Sequence, residues 1–150
     1  HYALNELTLL KKDSSSMITI HTSINGNFLN SYFADGLIVA TPTGSTAYSL
    51  SCAGPLIMPD SANFVITPIA PHNLNVRPLV ISDSDTLTLK VEGRSPSYLL
   101  SLDSRNVVID AGIEITLRKA NFGVNIVQME NRNFYTTIRN KLLWGLDRRV

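Results

Sequence analysis

Apolar and polar residues alternate with a period of two along most of this chain. Ile18, Ile20, Thr22 and Ile24 alternate with more polar neighbours, as do Leu87, Leu89 and Val91, and then Ile113, Ile115 and Leu117. That period places one face of a strand against a core and the other in water. Eleven runs read as strands: ELTLLKK, MITIHTSI, FLNSYFA, GLIVATP, NFVITPIAP, RPLVIS, TLTLKVEG, YLLSLD, NVVIDAG, IEITLRKA and VNIVQM. Asn25-Gly26 between two of them predicts a type I′ hairpin. Asp83 to Asp85, Glu92-Gly93, Asp103 to Asn106 and Ala111-Gly112 supply further turns. Many short strands at regular spacing predict a mainly β fold, a β-sandwich or barrel-like domain.

Two stretches break the rhythm. After the apolar run Leu37 to Ala40 comes TPTGSTAYSLS, from which a short helix is expected over Ser45 to Cys52. Ser45 or Thr46 would cap it, and Gly54-Pro55 would stop it. A C-terminal helix is expected over Asn131 to Leu146, with Phe134, Ile138, Leu142 and Leu146 on one face. Gly145 weakens its last turn. Its polar face is basic, with Arg132, Arg139, Lys141, Arg148 and Arg149. Such a helix must pack on its own sandwich or cover a neighbouring domain, and the second is favoured.

Composition narrows the function classes. The 150 residues carry 44% hydrophobic and 17% charged residues, with a net charge of +1. That charge gives no global attraction to nucleic acid or membrane. No apolar run approaches the roughly 20 residues that span a bilayer. Cys52 is the only cysteine, which rules out an internal disulfide and fits a reducing, cytoplasmic setting. The chain opens in a strand-like pattern without an initiator methionine, so it reads as a piece of a longer chain.

Four places could carry chemistry. Asn5-Glu6 is either a solvated strand edge or an amide and a carboxylate aimed at a ligand. Asp35-Gly36 is either a tight turn or an acceptor for an amide or a ribose hydroxyl. The hydroxyls of Thr41, Thr43, Ser45 and Thr46, with free amides at a helix start, either cap the turn or hold phosphate or ribose oxygens. Neither GxxxxGK[ST] nor GxGxxG is present. Ala70 to Pro78, APHNLNVRP, is a loop whose His72 has no second histidine at ligand spacing, so no zinc site is expected. No GxSxG elbow marks a nucleophile.

Taken together, Asn5-Glu6, DGLIVATPTGSTAYSLSCAGP from Asp35, PHNLNVRPLVI from Pro71 and LDSR from Leu102 resemble the NAD kinase family, bacterial type, and its C-terminal domain only. The blocks come in order over nearly the whole chain and end in FYTTIRNKLLWGLDRR. The resemblance implies phosphoryl transfer from ATP, with a divalent metal (Mg), to the adenosine 2′-hydroxyl of NAD, giving NADP. It also implies an N-terminal α/β domain whose GGDG aspartate is the base. GGDG does not occur in these residues, so no catalytic residue and no metal ligand is assigned here, and the isolated chain is not expected to turn over.

Carried over by motif, Asn5 and Glu6 would face the adenosine side. Thr46, Ala47 and Ser51 would hold adenine, with Tyr48 packed beside them, and Ser49 and Leu50 belong to the same substrate-binding block. Thr43 would line the pocket. Asp35 and Ala70 would meet the nicotinamide end, in family members partly across a subunit boundary, so a homo-oligomer (dimer or tetramer) is expected. Arg105 stands where glutamine is frequent. Cys52-Ala53-Gly54-Pro55 stands where a glycine pair is usual. Basic residues that family members carry between the first two blocks are not evident near Ser14 to Ser16 and Phe33. Two other readings remain: a lipid-type kinase domain of related architecture, and a non-catalytic β-sandwich that binds nucleotide or protein.

Overall fold

The computed structural model describes residues 1–12, 16–127, 129–130 and 133–145. Among the described residues ten strands form two antiparallel sheets: β1 (Glu6–Lys11), β2 (Ile18–Ile24), β3 (Asn27–Ala34), β4 (Gly36–Ala40), β5 (Asn63–Ile69), β6 (Leu79–Ser82), β7 (Leu87–Glu92), β8 (Ser97–Leu102), β9 (Arg105–Asp110) and β10 (Glu114–Leu117). One sheet has the order β6-β5-β4-β1-β8-β9 and the other β10-β7-β2-β3. The alternating residues do what their period requires. Ile18, Ile20, Leu87, Leu89 and Val91 from the four-stranded sheet bury against Leu7, Leu9, Leu37, Val39, Ile66 and Tyr98 of the six-stranded sheet. The mainly β sandwich expected from the pattern is the observed architecture.

The β2–β3 hairpin turns at Asn25 (φ 51) and Gly26 (φ 78), with Ile24 paired to Asn27. Both positive φ values are those a type I′ turn demands.

Strand β4 is buried at all five positions. Leu37 and Val39 enter the inter-sheet core, while Ile38 and Ala40 join Val65 and Ile69 in a second cluster on the outer face. Cys52 and Ile57 pack on that cluster, so the connection between β4 and β5 lies back over the sheet. A continuous apolar run flanked by small hydroxylated residues therefore means a strand covered on both sides.

Three local expectations need correction. The stretch Ser45 to Cys52 is a 3-10 turn, Thr43–Thr46, followed by one turn of helix, α1 (Tyr48–Ser51), whose N-cap is Ala47 and makes no side-chain cap bond. Ser45 and Thr46 do not cap because their hydroxyls bond back to the carbonyls of Pro42 and Thr43. VNIVQM forms no ladder over residues 124–127. Val124, Ile126, Val127 and Met129 are exposed, and an apolar run with no partner strand has nothing to pair its amides. The C-terminal helix is shorter than expected. It is α2 (Phe134–Leu142), capped by Asn133, which accepts from the Thr136 amide at 2.9 Å. Leu143 in the left-handed conformation ends it, so Gly145 lies beyond it. Asn131, Arg132, Leu146, Arg148 and Arg149 fall outside the described residues.

Two compact units divide the chain, residues 1–120 and 121–150. The sandwich is the first unit. In the second, Ile138 is the buried residue of α2. No helix among the described residues is long and apolar enough to cross a membrane.

Candidate functional site

The lead into β1 is held by main-chain bonds from both sides. The Asp103 carboxylate accepts the amides of Leu4 (2.9 Å), Asn5 (2.8 Å) and Glu6 (3.2 Å). The Asp103 amide donates back to the Glu6 carbonyl at 3.0 Å. On the other side Thr41 donates its hydroxyl to the Leu4 carbonyl (2.6 Å) and its amide to the Asn5 carbonyl (2.8 Å). Three amides and three carbonyls are thus satisfied over three residues, which leaves the Asn5 and Glu6 side chains available for contacts outside the backbone.

The turn after β4 then packs onto Asn5. A Cβ added to Gly44 would come 2.0 Å from the Asn5 carbonyl oxygen and 2.5 Å from its carbon. Only glycine permits that approach. The Gly44 amide donates to the Thr41 hydroxyl at 3.2 Å. Asn5, Glu6, Thr41 and the Thr43–Thr46 turn therefore form one assembly, joined to β8 and β9 through Asp103.

Most polar groups of this turn are spent internally. Ser45 is fully buried and ties Pro42 to Ile57. Its hydroxyl donates to the Pro42 carbonyl (2.7 Å) and accepts the Ile57 amide (3.0 Å). The amides of Ser45, Ala47 and Leu50 donate to the carbonyls of Pro42, Gly44 and Ala47, so a phosphate would have to break the turn to use them. Ser49 is also fully buried, sharing a 2.8 Å hydrogen bond with Thr67, and a Cβ on Gly54 would meet its hydroxyl at 2.1 Å. Ser49 thus fixes α1 to β5. Thr43, Thr46, Ala47 and Leu50 are half-buried around the turn, while Tyr48 and Ser51 are exposed.

Electrostatics separates two neighbouring carboxyl groups. Burial, and then the Asp103 charge, push the Glu6 carboxyl above its ordinary 4.5. Its Oε2 is buried with no hydrogen-bond partner among the described residues. Burial also acts to raise Asp103, but its three amide donors and then Arg105 outweigh it and hold the group below 3.8. Hydrogen bonds to the charged form thus keep one acid ionised beside another that resists ionisation. Arg105 is exposed. Its guanidinium donates to the Tyr2 carbonyl and lies 3.9 Å from Asp103.

Asp35 and Ala70 belong to the other end of β4. Asp35 donates its amide to Ile69 (3.0 Å), and Ala70 follows with φ 45. Six residue steps separate Asp35 from Thr41, about 20 Å along an extended strand. Burial, then Cys52, and then the Asp35 charge push the Tyr48 phenol up. Lys11, a base between the first two sequence blocks that pattern alone did not mark, pairs with Asp35 at 2.6 Å. His72 packs edge-on against Phe33, and among the described residues no group of three or more His, Cys, Asp or Glu side chains gathers to hold a metal. The sequence also missed Asp103 as the organiser of Asn5-Glu6. Its only local signal is an aspartate in a two-residue turn with φ 52.

Residues 4–129 match a family profile described as "ATP-NAD kinase C-terminal domain". The chain is 55% identical over 149 residues to a protein named NAD kinase from Cytophaga hutchinsonii, covering 99% of this chain and 51% of that protein. It is 52% identical over 149 residues to one of the same name from Bacteroides fragilis. It thus spans about half the length of the curated relatives it matches. Among solved structures it is similar to yeast NADH kinase complexed with NADH, with a TM-score of 0.87 and 29% identity over 97% of this chain and 45% of that one. An NAD kinase from Archaeoglobus fulgidus in complex with ATP aligns with a TM-score of 0.72 and 32% identity, covering 80% of this chain and 46% of that one.

Proposed function

The chain belongs to the ATP-NAD kinase family, whose C-terminal domain it matches, and on that premise we propose that it is the dinucleotide-binding half of an enzyme that phosphorylates the adenosine 2′-hydroxyl of NAD with ATP. One observation carries the reading: Asn5-Glu6 lies against the Thr41–Thr46 turn with its backbone fully bonded and its side chains uncommitted. A surface with settled main-chain geometry and half-buried polar side chains suits the sugar and base of a nucleoside, which need short donors and acceptors in fixed places.

In this proposal the half binds and orients. Adenosine lies along Asn5, Glu6, Thr43, Thr46, Ala47 and Ser51, with the half-buried Glu6 carboxyl as an acceptor for a ligand hydroxyl or amine. Tyr48 offers an exposed ring beside them. Ser49 is held inside, so its part in the block is to seat α1. Asp35, ionically tied to Lys11, and Ala70 offer the nicotinamide end, and a second copy supplying that end would complete the site in a dimer or tetramer. Fixing the 2′-hydroxyl for in-line attack can account for a large part of the rate in phosphoryl transfer. The described residues do not fit a metal, so no step here is routed through one. The base and the metal-holding groups are assigned to an N-terminal half.

The experiment is to incubate the full-length protein with ATP, Mg and NAD and to follow NADP by chromatography, with Asp35→Ala and Thr46→Val alongside. NADP formation, with weaker dinucleotide binding and unchanged melting in both variants, is expected. Wild-type affinity in both would refute the site. A second reading, a nucleotide-binding sandwich without turnover, is favoured for the isolated chain by the absence of GGDG from its sequence. Silence of the full-length protein with dinucleotide binding retained would support that second reading.

A further inference from the structure

We propose that Asp103 is the positioning residue of the dinucleotide site: by gathering the main-chain amides of Leu4, Asn5 and Glu6 it sets where the Asn5 and Glu6 side chains stand against the Thr41–Thr46 turn. The proposal rests on the nucleotide-site reading above. Leu4 is bonded through Oδ2, and Asn5 and Glu6 both through Oδ1. A carboxylate is the side chain suited to this, because it offers only acceptors, whereas an asparagine would turn an NH2 toward one of the donors.

Asp103 occupies a backbone conformation that costs it something. Its φ is 52 in a two-residue turn, with Leu102 paired to Arg105 across it. Non-glycine residues at positive φ are uncommon and persist where the surroundings hold them. Here the surroundings are explicit: the Asp103 amide bonds the Glu6 carbonyl at 3.0 Å, and the Ser101 hydroxyl bonds the Asp103 carbonyl at 2.8 Å. The turn between β8 and β9 is therefore built to aim this carboxylate across to the start of β1.

The consequence is a division of labour. Asp103 touches no ligand in this account. It acts through Asn5 and Glu6, its charge bears on the Glu6 carboxyl, and the Arg105 guanidinium lies 3.9 Å from it. Loss of Asp103 would release three amides at once and let the Asn5-Glu6 backbone move relative to Gly44, whose contact with Asn5 leaves no slack.

The test compares the full-length protein with Asp103→Asn and Asp103→Gly, since both residues accept the left-handed conformation. Amide hydrogen exchange at Leu4, Asn5 and Glu6 is expected to accelerate by on the order of tenfold. The KM for NAD is expected to rise by on the order of tenfold, with kcat lowered as well because the adenosine is held less well for attack, and melting within a few degrees of wild type. Accelerated exchange with a wild-type KM would overturn the proposal, as would unchanged exchange. A fall in kcat that tracks a fall in melting temperature would make Asp103 a folding residue and overturn it too. A wild-type protein that forms no NADP refutes the underlying reading instead, and the unmutated control separates that outcome.

Discussion

Gly44→Ala probes the site where its tolerance is smallest. The added Cβ would lie 2.0 Å from the Asn5 carbonyl oxygen, 2.5 Å from its carbon and 2.8 Å from its Cα, against an ordinary contact of 3.4–4 Å. All three obstacles are backbone atoms, so no rotamer change relieves the overlap. The separation must grow by about 1.4 Å. Asn5 cannot supply that alone, because Asp103 and Thr41 hold its amide and carbonyl. Either the bond from the Thr41 amide to Asn5 breaks or the 3-10 turn opens. Overpacking costs about 1–3 kcal/mol, and a lost buried hydrogen bond adds about 1 kcal/mol. A total of roughly 2–4 kcal/mol lowers the melting temperature of a chain this size by about 4–16 °C. The assay is thermal denaturation paired with NADP titration. Affinity should fall by more than the fraction unfolded explains, because the displaced atoms carry the Asn5 side chain. An alanine variant that melts and binds like wild type would refute the close-packed assembly of Asn5 and the turn.

Other outcomes follow from the same geometry. Glu6 in the folded protein sits above its ordinary 4.5, so its ionisation opposes folding. The cost is absent below that pH, grows as pH rises from there to the folded value, and is constant above it. Glu6→Gln should therefore raise the melting temperature near pH 7 and have no such effect below about pH 4, as paired melts would show. Ala53 holds φ 62, and Ala53→Gly should stabilise by about 1 kcal/mol, roughly 2–4 °C in melting temperature. Ser49→Ala strands the buried Thr67 hydroxyl, and should cost about 1–3 kcal/mol in denaturant unfolding.

The sheets were legible because alternation and a buried strand leave separate sequence signatures. Ile18 to Ile24 and Leu87 to Val91 alternate, whereas Leu37 to Ala40 is apolar throughout, and each is buried accordingly. Asn25-Gly26 was legible because few residues accept two successive positive φ values. VNIVQM is apolar without being a strand over residues 124–127: hydrophobicity marks a strand only where a partner exists, and pairing is not a local property. Ser45 looked like a cap because its chemistry suits one, but a buried position opposite Ile57 gave its hydroxyl other partners.

At the site, residue types were readable and their roles less so. The hydroxyl-rich turn and the Asn5-Glu6 pair stood out, yet nothing in the order of residues announces that Gly44 is pressed on Asn5 or that Asp103 bonds amides 97 to 99 positions away. Lys11 lay unmarked in an alternating strand until its neighbour at the start of β4 proved to be Asp35. Such pairings are set by strand order and register, which the pattern leaves open.

The most direct test of the central claim is an NMR titration of the protein with NADP, with ATP as the control ligand. The account predicts saturable shifts at the amides of Asn5, Glu6, Thr43, Thr46, Tyr48 and Ser51 with NADP, and little change at His21 and Ser31 on the four-stranded sheet. Saturable shifts confined to residues away from β1 and the Thr41–Thr46 turn, or identical responses to ATP and NADP, would contradict it.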